Sequence, residues 1–203
     1  MDFDELPRNH FGAVLADPPW HWKSWGKWRG QRGSLAPNGG RDVQNHYGIM
    51  ETDDIHAMPV ADLCADDAVL FIWVTWPMLP EGLATVSSWG FEYKTAFDWI
   101  KARTNQIDMF RDDADGQVGM GYWTRSNSEP CLLATRGRPK RVHADVRQGI
   151  IEPRREHSRK PDCIHGRIER LVSGPYLELF ARQERPGWTA WGNETTKFNK
   201  GAA

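Results

Sequence analysis

Residues 16 to 20, Ala-Asp-Pro-Pro-Trp, follow the apolar run FGAVL (11–15) without a break. Prolines end a strand and remove backbone donors, so Pro18 offers a carbonyl and no N–H. Asp17 places a carboxylate beside it. Two acceptors converging on one point suit an NH₂ group, which has two protons to donate, and Trp20 adds a flat face for a heteroaromatic ring. An exocyclic amine on a base is a poor nucleophile because its lone pair is delocalised into the ring. Acceptors that hold both protons favour a pyramidal nitrogen and stabilise the charge that develops as it attacks. Asp17, Pro18, Pro19 and Trp20 are therefore candidate catalytic residues for alkylation of a planar amine on a nucleobase. The plain alternative is a strand-ending turn with Trp20 filling core.

Such a group needs a frame. Ligands of open α/β sheets bind at the carboxyl ends of strands, so FGAVLAD (11–17) is read as a buried strand. The run AVLFIWVT (68–75), apolar throughout and rich in β-branched and aromatic residues, reads as a central parallel strand. Further strands are predicted over 91–101, 129–137, 176–182 and 188–193. Helices are predicted from near Thr52 or Asp53, whose oxygens can cap one, over 77–90 ending at Gly90, and over 160–172 with Pro161 in the first turn. This alternation predicts an α/β fold with a largely parallel sheet. Residues 23–46 and 103–121 carry no such pattern and are read as mobile loops, which in a compact domain are usually functional.

A length of 203 residues suits a single domain over 1–203, able to bury roughly 70% of its unfolded surface. The net charge of −1 excludes a simple polycation. Basic residues are nonetheless clustered: Lys23, Lys27, Arg29, Arg32 and Arg41 on one side of the chain order, and nine between 136 and 160, Arg154 and Arg155 among them. Together they predict a groove that tracks phosphates, with Trp22, Trp25 and Trp28, three of 11 tryptophans, placed to stack on bases. Cys64, Cys131 and Cys163 are widely spaced and odd in number, with no metal-binding spacing, which predicts a reducing compartment and no metal. No apolar stretch reaches the length of a membrane span, and MDFDELPRNH has no signal-peptide character, so the expected location is cytoplasmic.

The ADPPW motif with its ordered surroundings resembles the DPPW-type adenine-N6 methyltransferases, the group that includes the catalytic subunit of the eukaryotic messenger-RNA adenosine methyltransferase. HYGIM (46–50), LFIWVT (70–75), WGFEYKTAFDWIK (89–101), EPCLLATRG (129–137), REHSRKPDCIHGRIERL (155–171), ELFAR (178–182) and WGNE (191–194) continue the family's series in the same order. The resemblance implies a Rossmann-like, S-adenosylmethionine-dependent methyltransferase fold with helices on both faces and a circularly permuted motif order. The permutation accounts for the absence of a glycine-rich GxGxxG turn after the first strand.

By the same resemblance, S-adenosylmethionine lies across Asp17 and Pro18 and is held by Lys160, Arg182, Asn193 and Glu194. Tyr47, Glu129 and Ser158 are implied at the base pocket with Trp20, and Lys23, Arg154 and Arg155 are read as nucleic-acid contacts. Glu194 stands where the eukaryotic enzyme has an amide, and Glu184 and Arg185 replace a histidine and an asparagine of the family's ribose site. The expected activity is methyl transfer to the N6 amine of adenine in DNA, a choice over RNA that rests on the chain's small size. A homodimer is implied because the family often works in pairs. The contrasting reading, an inactive partner that only binds nucleic acid, is opposed by the intact Asp17, Pro18, Pro19, Trp20 and Lys160.

Overall fold

The computed structural model describes residues 2–20, 50–102, 123–156 and 159–199. In chain order its elements are β1 (Phe11–Ala16), α1 (Thr52–Ala57), α2 (Val60–Leu63), β2 (Cys64–Trp73), α3 (Leu79–Ser88), β3 (Glu92–Ala102), β4 (Ser128–Arg136), β5 (Gly149–Pro153), α4 (Cys163–Leu171), β6 (Tyr176–Leu179) and β7 (Trp188–Trp191). One seven-stranded sheet has the order β5-β3-β4-β2-β1-β6-β7. The pairings of β1 with β2 and β6, of β6 with β7 and of β3 with β5 are parallel, while β4 runs antiparallel to both β2 and β3. Every described strand except β4 therefore points the same way. The expectation of a largely parallel sheet holds, with β2 parallel on one side only.

The sheet is buried on both faces. On one, Val14, Ala16, Leu70 and Ile72 pack with Ile55 of α1, Leu63 of α2, Val86 of α3 and Trp89 just after it. On the other, Ala13, Leu15, Val69 and Phe71 pack with Ile164 and Ile168 of α4. Successive strand residues face opposite sides, and here both sides are core, so the strands read as continuous apolar runs rather than alternating ones.

Element boundaries differ from the sequence reading in informative places. The helix near Thr52 is capped by Glu51 through its backbone alone, and it breaks at Met58 and Pro59 into α1 and α2. β2 begins at Cys64, ahead of the apolar run, with Cys64 buried and Asp66 and Asp67 exposed. Gly90, at φ 78°, follows α3 as expected. β6 stops at Leu179 because Phe180 takes a φ of 61° and turns the chain out of the sheet. β5 was hidden inside the basic run. It is an edge strand with Ile150 buried and Ile151 exposed, too short to show a pattern.

Candidate active site

The common strand direction gathers functional side chains at one end of the sheet. Asp17 directly follows β1, Lys101 lies near the end of β3, Arg154 follows β5 and Arg182 lies just beyond β6. Because β4 runs the other way, its first residues, Ser128 and Glu129, enter the sheet at that same end. Lys160 arrives from the segment before α4.

Asp17 is half-buried, and its backbone N–H donates to the carbonyl of Leu179 at 3.4 Å. Pro18 is buried, and its carbonyl accepts the N–H of Trp20 at 2.8 Å, which occupies one of its two lone pairs. The indole of Trp20 belongs to the core and is 8% exposed. Its Nε1–H donates to the carbonyl of Trp73 at 2.9 Å. The structure thus places Trp20 as a brace that ties the Asp17 turn to the end of β2. A flat face open to a base, as expected from the sequence, is not what this burial leaves, because a buried indole N–H needs an acceptor and finds it inward.

Lys160 connects the remaining groups. Its Nζ lies 2.9 Å from Oδ1 and 3.0 Å from Oδ2 of Asp17, and 3.0 Å from Oε1 of Glu129. Oε2 of Glu129 accepts from Lys101 Nζ at 2.7 Å. Two indoles packed edge to face at 6.3 Å, Trp73 and Trp99, underlie this chain of charges. The Lys160 ammonium sits 5.7 Å from the centre of the Trp73 ring, and that of Lys101 5.1 Å from the Trp99 ring. Burial opposes ionisation of Glu129, yet Lys160 and Lys101 hold its carboxyl down at about 2. Burial likewise opposes the charge on Lys160, and Asp17 and Glu129 outweigh it, raising Lys160 above the ordinary lysine value. Burial, with the Asp17 charge nearby, pushes the thiol of Cys131 up and keeps it protonated.

The sequence pattern puts Lys160 in the first turn of a helix over 160–172. It stands three residues ahead of α4, its side chain 15% exposed, so an inward carboxylate pair rather than a helix dipole decides its setting.

Beside Asp17 and Lys160 opens a cleft, which Glu178, His165, Arg182 and Arg185 also line. His165 Nε2 meets Glu178 Oε2 at 2.8 Å. Asp162 gathers Arg155 at 2.5 Å, Arg159 at 3.4 Å and Arg185; burial opposes its ionisation, but these arginines hold its carboxyl at about 2. His165 Nδ1, Arg159 Nε and Arg185 Nε are buried with no protein partner among the described residues. Mixed acids and cations with such polar atoms left over suit a ligand carrying an ammonium, a carboxylate and hydroxyls together, the groups that S-adenosylmethionine presents.

The remaining sequence candidates divide. Arg182 lines the cleft, with Nε 3.7 Å from Glu194, which also pairs with Lys197 at 2.7 Å. Asn193 is exposed in the turn after β7 and outside the cleft lining. Gly192 before it passes so close to Phe180 and Ala181 that a Cβ would lie 2.8 Å from the Ala181 nitrogen. Arg154 is exposed at the site edge, whereas Arg155 is committed to Asp162 and to the carbonyl of Lys160. The basic run does not form one wall. Arg136 and Arg138 lie at the opposite end of the sheet, the first donating to Ala61 O and the second bonded through its backbone to Asp67, because β4 carries the chain away from the site. Lys23, Tyr47 and Ser158, the tryptophans at 22, 25 and 28, and the loops over 23–46 and 103–121 lie outside the described residues.

Lys101, Asp162, His165 and Glu178 escaped the sequence reading. Lys101 left a signal: in the strand FDWIK it shares a face with Phe97 and Trp99, and a lysine on a core face needs a buried acid.

The MT-A70 family model matches residues 11–194. The type II methyltransferase M.MunI of Mycoplasma sp is 31% identical over 204 residues, covering 95% of this chain and 81% of that protein. The N(6)-adenosine-methyltransferase MT-A70-like protein of Drosophila melanogaster is 31% identical over 188 residues, 91% of this chain and 27% of that protein. The human N(6)-adenosine-methyltransferase catalytic subunit METTL3 is 30% identical over 188 residues, 91% of this chain and 28% of that protein. The chain thus spans most of the bacterial relative and about a quarter of the eukaryotic ones.

Proposed function

The chain belongs to the MT-A70 family, and on that premise we propose that it transfers a methyl group from S-adenosylmethionine to the exocyclic N6 amine of adenine in DNA. The observation that carries the reading is Asp17 at the carboxyl end of β1, half-buried and paired with Lys160 at the mouth of the mixed-charge cleft. Bound S-adenosylmethionine supplies an electrophilic methyl group on a sulfonium. Lys160 and Arg182 would face its carboxylate, and Glu178 and Asp17 its hydroxyls and ammonium.

The residues of the chain then act on the amine. Asp17 and the free lone pair of the Pro18 carbonyl accept hydrogen bonds from its two N–H groups, the carboxylate stabilises the positive charge that grows on nitrogen, and one proton leaves to solvent once the methyl is in place. Lys160, itself paired with Glu129, holds Asp17 in one orientation, so little is reorganised during the reaction. Trp20 keeps the Pro18 turn fixed against β2. The adenine must leave its stack or come from a single strand, because the amine is not reachable inside a duplex.

DNA is preferred over RNA because the type II methyltransferase M.MunI is 31% identical along 95% of this chain. We place the protein in the cytoplasm, where three free cysteines stay reduced, and read it as a homodimer, which sedimentation tests. The deciding experiment is transfer of labelled methyl to single- and double-stranded DNA and RNA, followed by digestion to nucleosides. The expected product is N6-methyldeoxyadenosine. Label confined to RNA would replace the DNA reading with an RNA one, and no label in either would refute methyl transfer to nucleic acid.

A further inference from the structure

Glu129 is bound by two lysines, one on each oxygen: Lys160 on Oε1 at 3.0 Å and Lys101 on Oε2 at 2.7 Å. All are largely buried, with side-chain exposures of 11% for Glu129, 15% for Lys160 and 16% for Lys101. The strand register builds this pair. Glu129 lies opposite Trp99 in the β3–β4 ladder, so Lys101, two residues further along β3, is its diagonal neighbour on the same face. A backbone bond from Lys101 N to Asn127 O at 2.8 Å fixes the end of that strand.

We propose that Lys101 is a positioning residue: by holding the second oxygen of Glu129 it keeps that carboxylate ionised and aimed at Lys160, and so keeps the Lys160 ammonium on Asp17. The arithmetic of charge is the reason. Lys101, Glu129, Lys160 and Asp17 alternate in sign and sum to zero. Without Lys101, one buried ammonium faces two carboxylates. Lys160 then divides itself differently between them, or Glu129 takes up a proton and lets go of it. Either change alters the carboxylate that accepts the substrate amine. The groups facing Glu129 are Lys101 from β3, Lys160 from the segment before α4, Asp17 beyond it, and the protonated Cys131 on its own strand.

The link to Asp17 rests on the proposed role of that residue in methyl transfer, so the test reads the network both with and without turnover. The full chain is compared with Lys101→Met, Lys101→Arg, Glu129→Gln and the double variant Lys101→Met with Glu129→Gln. In Lys101→Met, kcat on an adenine-containing single-stranded oligodeoxynucleotide is expected to fall about tenfold, with KM changed by less than about twofold. Lys101→Arg restores most of kcat, and in the Glu129→Gln background the methionine costs less than about a further twofold. Without any substrate, the side-chain carboxyl resonance of Glu129 titrates about one to three pH units higher in Lys101→Met than in the wild type. An unmoved Glu129 titration overturns the proposal, and so does a full loss of kcat that persists in the Glu129→Gln background. If the wild type transfers no methyl, the functional reading fails. The carboxyl titration then decides the Lys101–Glu129 link alone, moved in its favour and unmoved against it.

Discussion

Nζ of Lys160 stands 2.9 Å from Oδ1 of Asp17, a contact between residues 143 apart in the chain. It closes the site, because the first strand end and the segment before the last helix meet there. Lys160 also pairs with Glu129, so its removal strands Asp17 and leaves Glu129 to Lys101 alone. Lys160→Met is expected to cost about 3–5 kcal/mol of stability, the usual loss when a buried ion pair is broken from one side. Urea unfolding of both proteins measures it.

Glu129 and Asp162 both sit at about 2, below ordinary values of 4.5 and 3.8. A carboxyl lowered in the folded state contributes stability above its unfolded value and loses it as pH falls through the folded one. Stability is therefore expected to decline from about pH 4.5 toward pH 2. Lys160 is raised, so its contribution is complete below the ordinary lysine value of 10.5 and is lost above it. Unfolding midpoints measured across pH check both limbs, and Glu129→Gln should flatten the acid one.

Much of this frame is legible in the sequence. The continuous apolar runs marked β1 and β2, because strands buried on both faces have no polar side to interrupt them. Asp17, Lys160, Glu129 and Arg182 were each singled out, but their contacts were not, since ion pairs across the chain leave no local pattern. The reversal of β4, unlike the other described strands, left no mark for a related reason: direction is set by the end from which the chain re-enters the sheet, and no residue type records it. That reversal is also why the basic run divides between two ends of the sheet.

The divided run has a measurable consequence. Arg154 is exposed at the site edge and Arg155 is committed to Asp162. Arg154→Ala should reduce the slope of log binding constant against log salt by about one, with stability unchanged. Alanine at Arg138, at the far end, should leave that slope alone. Fluorescence anisotropy with a labelled oligonucleotide at several salt concentrations separates the two.

Trp20 is a brace, so its loss should appear as instability. Trp20→Phe keeps most of the packing but leaves the Trp73 carbonyl without its donor, at a cost of about 1–3 kcal/mol. Trp20→Ala adds a cavity and should cost about 3–5 kcal/mol. Thermal or urea unfolding ranks the two.

The role of Asp17 is tested most directly by Asp17→Asn, which keeps shape and removes charge. Labelled methyl transfer to DNA, digested to nucleosides, is measured beside calorimetric binding of S-adenosylmethionine. The account predicts that formation of N6-methyldeoxyadenosine falls by at least about 10²–10³-fold while cofactor binding remains detectable. Turnover at the wild-type rate in Asp17→Asn would contradict it.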